Sequence, residues 1–245
     1  MMLFRCIAAE NRKLKNAPIW IVFFLFPILS AAYGPFNFLQ NQGILSFNWY
    51  NLWTQHTLFY ALFFFSPLVG LYAAWLWRLE HIGHNWNLIM SQPVPPLYLF
   101  MAKLAVVFKM ALLTQGWMLT LYLLSGKLWA KLPGLPPAKV FLWALRGALA
   151  AAPVIALQLL LAMLIRSFAV PILIALGGGL AGVVLSSRGL GLVWPYSLMI
   201  AGMNSNKTED ALAGSEFPFV LSCLVFLAVF LLAADCLLRK RDVKA

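Results

Sequence analysis

The sequence predicts an all-α integral membrane protein of six transmembrane helices with both termini in the cytoplasm. Three observations predict it. Hydrophobic residues make up 63% of the 245-residue chain and charged residues only 10%, whereas a soluble domain carries about 25% charged residues. The apolar residues fall in long uncharged runs, which suit helices; a barrel would alternate polarity over strands of about ten residues. Much of the net charge of +11 flanks those runs, where basic residues meet anionic lipid and set orientation.

The whole chain reads as one transmembrane domain, residues 1–245. Six spans of about 20 residues use roughly half of it, leaving short loops and tails. Residues 1–16 do not span. Leu3, Phe4, Ile7 and Leu14 recur at helical spacing, with Arg5, Glu10, Arg12, Lys13 and Lys15 around them. That pattern predicts an interfacial amphipathic helix, and an ordinary charged tail is the alternative. Ser30-Ala31-Ala32 after an apolar run resembles a signal-peptide end. The residues ahead of that run look structured, so an uncleaved span is expected.

The first span is placed at about 18–33. Pro18 suits a first helical turn and Pro27 should kink the helix. Residues 34–52 have no Lys or Arg and read as an external loop. The second span, about 54–77, ends at Trp75, Trp77 and Arg78, and residues 78–96 form a cytoplasmic loop. The third, about 98–124, carries Lys103 and Lys109 in its inner half. These lie about 9 Å apart along a helix, placed to snorkel inward or to face other helices. Residues 125–139 form an external loop containing Pro133, Pro136 and Pro137. The fourth and fifth spans, about 140–165 and 168–185, are joined by a very short turn at Arg166. Residues 186–216 are a long external segment. The sixth span, about 217–238, ends in the favourable i,i+4 pair Asp235–Arg239 and a basic tail. This topology puts eleven Lys and Arg inside, six outside and Lys109 within a span. Lys127, Lys131 and Lys139 dilute the bias, but the reversed chain would put both basic tails outside.

Several chemistries are excluded by missing motifs. No phosphate loop, nucleophile elbow or H-E-x-x-H zinc helix is present. Cys6, Cys223 and Cys236 lack metal-ligand spacing and form no disulfide framework. Glu80, His81 and His84 are the one cluster resembling metal ligands, and they read better as a polar helix face. No basic patch with interleaved aromatics points to nucleic acid. The chain is therefore expected to be a non-enzyme that holds no metal and no cofactor.

The segment 80–92 is the most informative. Ile82, Trp86 and Ile89 fall at i, i+4 and i+7, while His81, His84, Asn85 and Asn87 take other faces and Pro93 ends the run. A short amphipathic helix along the inner leaflet is predicted, its polar face open to a cytoplasmic partner. A plain interfacial loop helix has the same periodicity.

Two stretches resemble the membrane subunits of type-2 ABC transporters, most of all the small permeases of the lantibiotic-immunity and bacitracin-resistance group. Residues 10–20, Glu10-Asn11-Arg12-Lys13-Leu14-Lys15-Asn16-Ala17-Pro18-Ile19-Trp20, look like that group's E-x-x-K-x-K-x-S/A-P lead-in to the first span. Glu80 followed by Trp86-Asn87-Leu88-Ile89-Met90-Ser91-Gln92-Pro93-Val94 resembles its coupling segment, E…W-x-x-L-x-x-x-P-V. The chain departs from the pattern at Pro95-Pro96, where the family commonly has basic residues.

The resemblance implies an exporter permease in the bacterial cytoplasmic membrane. Its coupling helix would be Glu80, His81, His84, Asn85, Trp86, Asn87, Leu88 and Ile89. Its interfacial helix would carry Glu10, Arg12, Lys13 and Lys15. The partners implied are an ABC ATP-binding subunit, a second permease subunit and membrane lipid, with no nucleic acid. ATP and magnesium would be bound by the partner, and the cargo would be an amphipathic molecule such as an antimicrobial peptide. The segment 186–216 is often re-entrant in this family, and Trp194-Pro195-Tyr196 with Leu198-Met199-Ile200 would suit short helices dipping back; an aromatic-anchored surface loop is the alternative. Gly178 and Gly182 form a G-x-x-x-G pair, assigned either to dimer packing or to contact within one subunit. The competing function is an ATP-independent secondary transporter or channel, which needs titratable acids within spans; only Asp235 sits near membrane depth. A membrane-embedded enzyme ranks last, because His56, Lys109 and Asp235 are scattered.

Overall fold

A computed structural model describes residues 2–82, 85, 91, 93–207 and 209–240. Among them the regular structure is entirely helical. Helix α1 covers Met2–Arg12, α2 Ile19–Gln40, α3 Trp49–His81, α4 Pro96–Trp129, α5 Ala138–Leu164, α6 Ala169–Ser187, α7 Pro195–Gly202 and α8 Glu216–Lys240. Helices α2 to α6 and α8 are the six long and apolar enough to cross a bilayer. Six such passes bring the start of α2 and the end of α8 to one end of the bundle, here termed the base; the opposite end is the crown.

Several helices overrun the expected spans, α3 through Arg78 and Glu80 and α4 through Lys127. Helix α2 continues to Gln40 rather than stopping near residue 33, passing through Pro27 and Pro35. Asn41 ends it, folding its side-chain amide back onto the Asn37 carbonyl at 2.8 Å. Asn48 then caps α3, its side chain accepting the Asn51 N–H at 2.8 Å. Helix α3 has 33 residues, about 50 Å, against a hydrocarbon core of about 30 Å. It is wound as a π-helix at Tyr60–Phe65 and α4 ends the same way at Ser125–Trp129.

Helices α3 and α5 form the interior, with 67% and 72% of their apolar windows buried, whereas α8 is the most peripheral span at 11%. Two buried aromatic rings at the crown have their polar ends satisfied. Trp53 Nε1 donates to the Met203 carbonyl at 2.9 Å, and Tyr122 Oη donates to the Trp49 carbonyl at 2.7 Å. Between α6 and α8 the chain forms a short buried helix rather than a surface loop. Helix α7 packs between α5 and α6, with Leu198 and Met199 fully buried.

At the base, α1 lies along α4. Asn16, at φ 59°, turns the chain from α1 into α2; asparagine tolerates this left-handed conformation better than most residues. Trp20 Nε1 donates to the Leu14 carbonyl at 2.8 Å and fixes that turn.

Candidate functional site

The base holds the strongest concentration of charge in the interior. Lys103 enters from the second turn of α4 and is 1% exposed. An ammonium so buried must have all three donors engaged. Lys103 Nζ donates to Glu10 Oε2 at 2.9 Å, to Glu80 Oε1 at 2.6 Å and to the Leu76 carbonyl at 3.2 Å. It also lies 5.0 Å from the Trp77 ring centroid, within cation–π range. Glu10 comes from the last turn of α1 and Glu80 from the last turn of α3, each 3% exposed. Lys13, just past α1, closes the set. Its ammonium donates to Glu10 Oε1 at 2.6 Å and also bonds Glu80 Oε1. Two carboxylates and two ammonium groups thus alternate around one junction of α1, α3 and α4, with no net charge. Burial pulls the Lys13 pKa down, but Glu10 and Glu80 together outweigh it and hold it above the ordinary lysine value.

The last turn of α3 is also held on its other side. His81 Nε2 donates to the Ala162 carbonyl of α5 at 3.0 Å. The Arg78 guanidinium lies 5.2 Å from the Phe168 ring centroid, just ahead of α6. The segment that follows, 80–92, therefore starts from a turn tied to four other parts of the base.

Of the residues assigned to the coupling segment, Glu80, His81 and Asn85 lie within the described residues; Asn85 Nδ2 donates to the Leu79 carbonyl at 3.0 Å. His84, Trp86, Asn87, Leu88 and Ile89 lie outside them. In the amino-terminal helix, Arg12 and Lys15 are exposed. Glu10 is buried, because the two lysines draw it into the junction. Lys109 takes the second of its two expected roles, facing another helix, where its ammonium bonds Asn11 Oδ1. Among the described residues, no three His, Cys, Asp or Glu side chains converge to hold a metal ion.

The sequence model described as ABC-2 family transporter protein matches residues 6–182. The chain belongs to the ABC-2 transporter family. The match takes in α1 from Cys6, the whole charged junction and both glycines of the G-x-x-x-G pair. No curated protein matches the chain. ABC-2 permeases are transport subunits, not themselves catalytic, that typically work with an ATP-binding subunit.

In this ABC-2 permease the Gly178–Gly182 face is filled by the chain itself. A Cβ on Gly178 would lie 2.5 Å from the Tyr196 ring, and one on Gly182 would lie 3.1 Å from the Ser197 nitrogen. Trp194 Nε1 donates to the Gly178 carbonyl at 2.8 Å. Of the pair's two assignments, this packing is the contact within one subunit: the short helix α7 needs a surface without side chains in order to approach, and it takes this one. Tyr196 in turn meets α5, its hydroxyl accepting from Gln158 Nε2 at 2.5 Å.

At the crown, Asp210 gathers the segment after α7. It accepts from Trp143 Nε1 at 3.2 Å and from the Leu212 N–H at 3.1 Å, and pairs with Arg146 at 3.3 Å. Its burial favours the neutral form, but these donors and the guanidinium prevail and hold its carboxyl below the ordinary aspartate value. Near the end of α8, Asp235 and Arg239 form the expected pair at 2.9 Å.

Proposed function

We propose that this ABC-2 permease is the membrane half of an exporter in the bacterial cytoplasmic membrane, with its base toward the cytoplasm. Two permease subunits pair, and each docks segment 80–92 into a separate ATP-binding subunit that holds ATP and magnesium. The cargo is an amphipathic molecule such as an antimicrobial peptide, as in lantibiotic self-immunity. The observation that carries the reading is the position of Glu80. It is the first residue of the proposed docking segment and, at the same time, a member of the buried junction uniting α1, α3 and α4. A push on that segment reaches three helices at once. The ATP-independent alternative gains nothing from Glu10 and Glu80, since lysines engage both carboxylates.

The test is co-expression with a candidate ABC ATP-binding subunit from the same organism. The two are expected to copurify and to hydrolyse ATP faster than the ATP-binding subunit alone. Trp86→Ala should remove the association. Inverted vesicles holding the complex should take up a fluorescently labelled cationic amphipathic peptide only with ATP. No association, or equal uptake without any ATP-binding subunit, would overturn the reading.

A further inference from the structure

The charged junction is a poor device for stability alone. Buried ion pairs give back most of their Coulomb gain as desolvation, and apolar side chains of similar volume often serve as well. What such a set supplies is geometry. Each donor of Lys103 is spent on a different target: one on α1, one on the Glu80 carboxylate and one on the Leu76 backbone of α3. Glu10 divides its two oxygens between Lys13 and Lys103. Glu80 meets both lysines through a single oxygen. The last turns of α1 and α3 and the second turn of α4 are thereby held in one arrangement. No helix can turn about its axis without leaving a charge unpaired in the interior.

We propose that Glu10, Lys13, Glu80 and Lys103 form an ionic clasp that couples the permease to its motor, by making the docking segment, the amino-terminal helix and α4 move as one body. The four are positioning residues: they touch neither ATP nor cargo. This rests on the functional reading above and adds to it the residues that transmit the motion.

The experiment uses the complete chain in complex with its ATP-binding subunit, reconstituted in liposomes. Two double variants each keep the junction neutral. Glu10→Gln with Lys103→Met leaves the Lys13–Glu80 pair but removes the ionic links of α4; Lys13→Met with Glu80→Gln leaves Glu10–Lys103 but removes the ionic links of the Glu80 carboxylate. Three readouts are taken: amount of folded permease by gel filtration, copurification of the ATP-binding subunit, and the permease-dependent stimulation of ATP hydrolysis. Expected are wild-type assembly and a loss of stimulation of about tenfold, within the range for residues that carry coupling without touching a ligand. Lys103→Arg, which keeps the charge, should retain most of the stimulation.

Wild-type stimulation in both double variants would overturn the clasp and leave the functional reading standing. Loss of folded protein in both would assign the junction to stability alone and overturn the clasp equally. A wild-type permease that neither binds nor stimulates the ATP-binding subunit would instead sink the functional reading, and the clasp's role with it.

Discussion

Lys103 shows how one residue constrains a membrane interior. Its ammonium is placed among apolar spans and survives there because three acceptors surround it. Removing one partner of a buried pair costs about 3–5 kcal/mol, since the other charge stays behind. Lys103→Met alone should therefore lower the melting temperature in detergent strongly, whereas the same change made with Glu10→Gln should lower it much less. Lys13 carries a pH signature. Its pKa is raised in the folded state, so its contribution is complete below the ordinary lysine value of 10.5 and is lost as pH rises through the raised value. Thermal melts across that alkaline range should show a loss of stability in wild type that is smaller in Lys13→Met. The existence of a partner for Lys103 was legible beforehand, because a lysine in a span needs one. Its identity was nearly so: Glu10 and Glu80 are the only acidic residues before Glu209. That both meet it in one junction, with Lys13, follows from how α1 lies on α4, which no residue spacing encodes.

At the scale of elements, helix existence was plain and helix ends were not. Span boundaries were read from where charge and prolines appear, yet α2 runs through two prolines and an uncharged aromatic stretch before Asn41 stops it. Helix α7 was anticipated from Trp194-Pro195-Tyr196, and its receptor was visible as a glycine pair, but the two were not joined until packing joined them. Gly178→Ala would press a methyl into the Tyr196 ring, an overpacking cost of about 1–3 kcal/mol. It should lower the melting temperature and shift the emission of Trp194, which bonds the Gly178 carbonyl; an unchanged melt would refute the packing. The segment after α7 depends on Asp210, whose pKa is depressed. Its contribution is present above the ordinary aspartate value of 3.8 and is lost as pH falls through the lower folded value. Proteolysis at the crown should rise in that acidic range, and Asp210→Asn should remove the pH dependence of that cleavage.

For the molecule as a whole, six crossings place α1 and the end of α8 at the same end, and the basic bias proposes that this end faces the cytoplasm. In a cysteine-free background, Leu135→Cys, 83% exposed at the crown, should react with an impermeant maleimide in intact cells. Met2→Cys should react only after permeabilisation. The reverse pattern would invert the orientation and remove the docking segment from reach of any ATP-binding subunit.

By itself the sequence determined that this chain lives in a bilayer as six helices. Hydrophobicity over about twenty residues is a local property, and the bilayer leaves helices few alternatives. It also carried the two stretches that resemble an ABC permease, since those contacts depend on short motifs. Only the tertiary structure decided which charges meet and which surface the glycines serve. Both turn on residues far apart in the chain, such as Glu10 with Lys103 or Gly178 with Tyr196. An ion pair or a close approach of that kind is specified by how helices cross, not by the residues beside it.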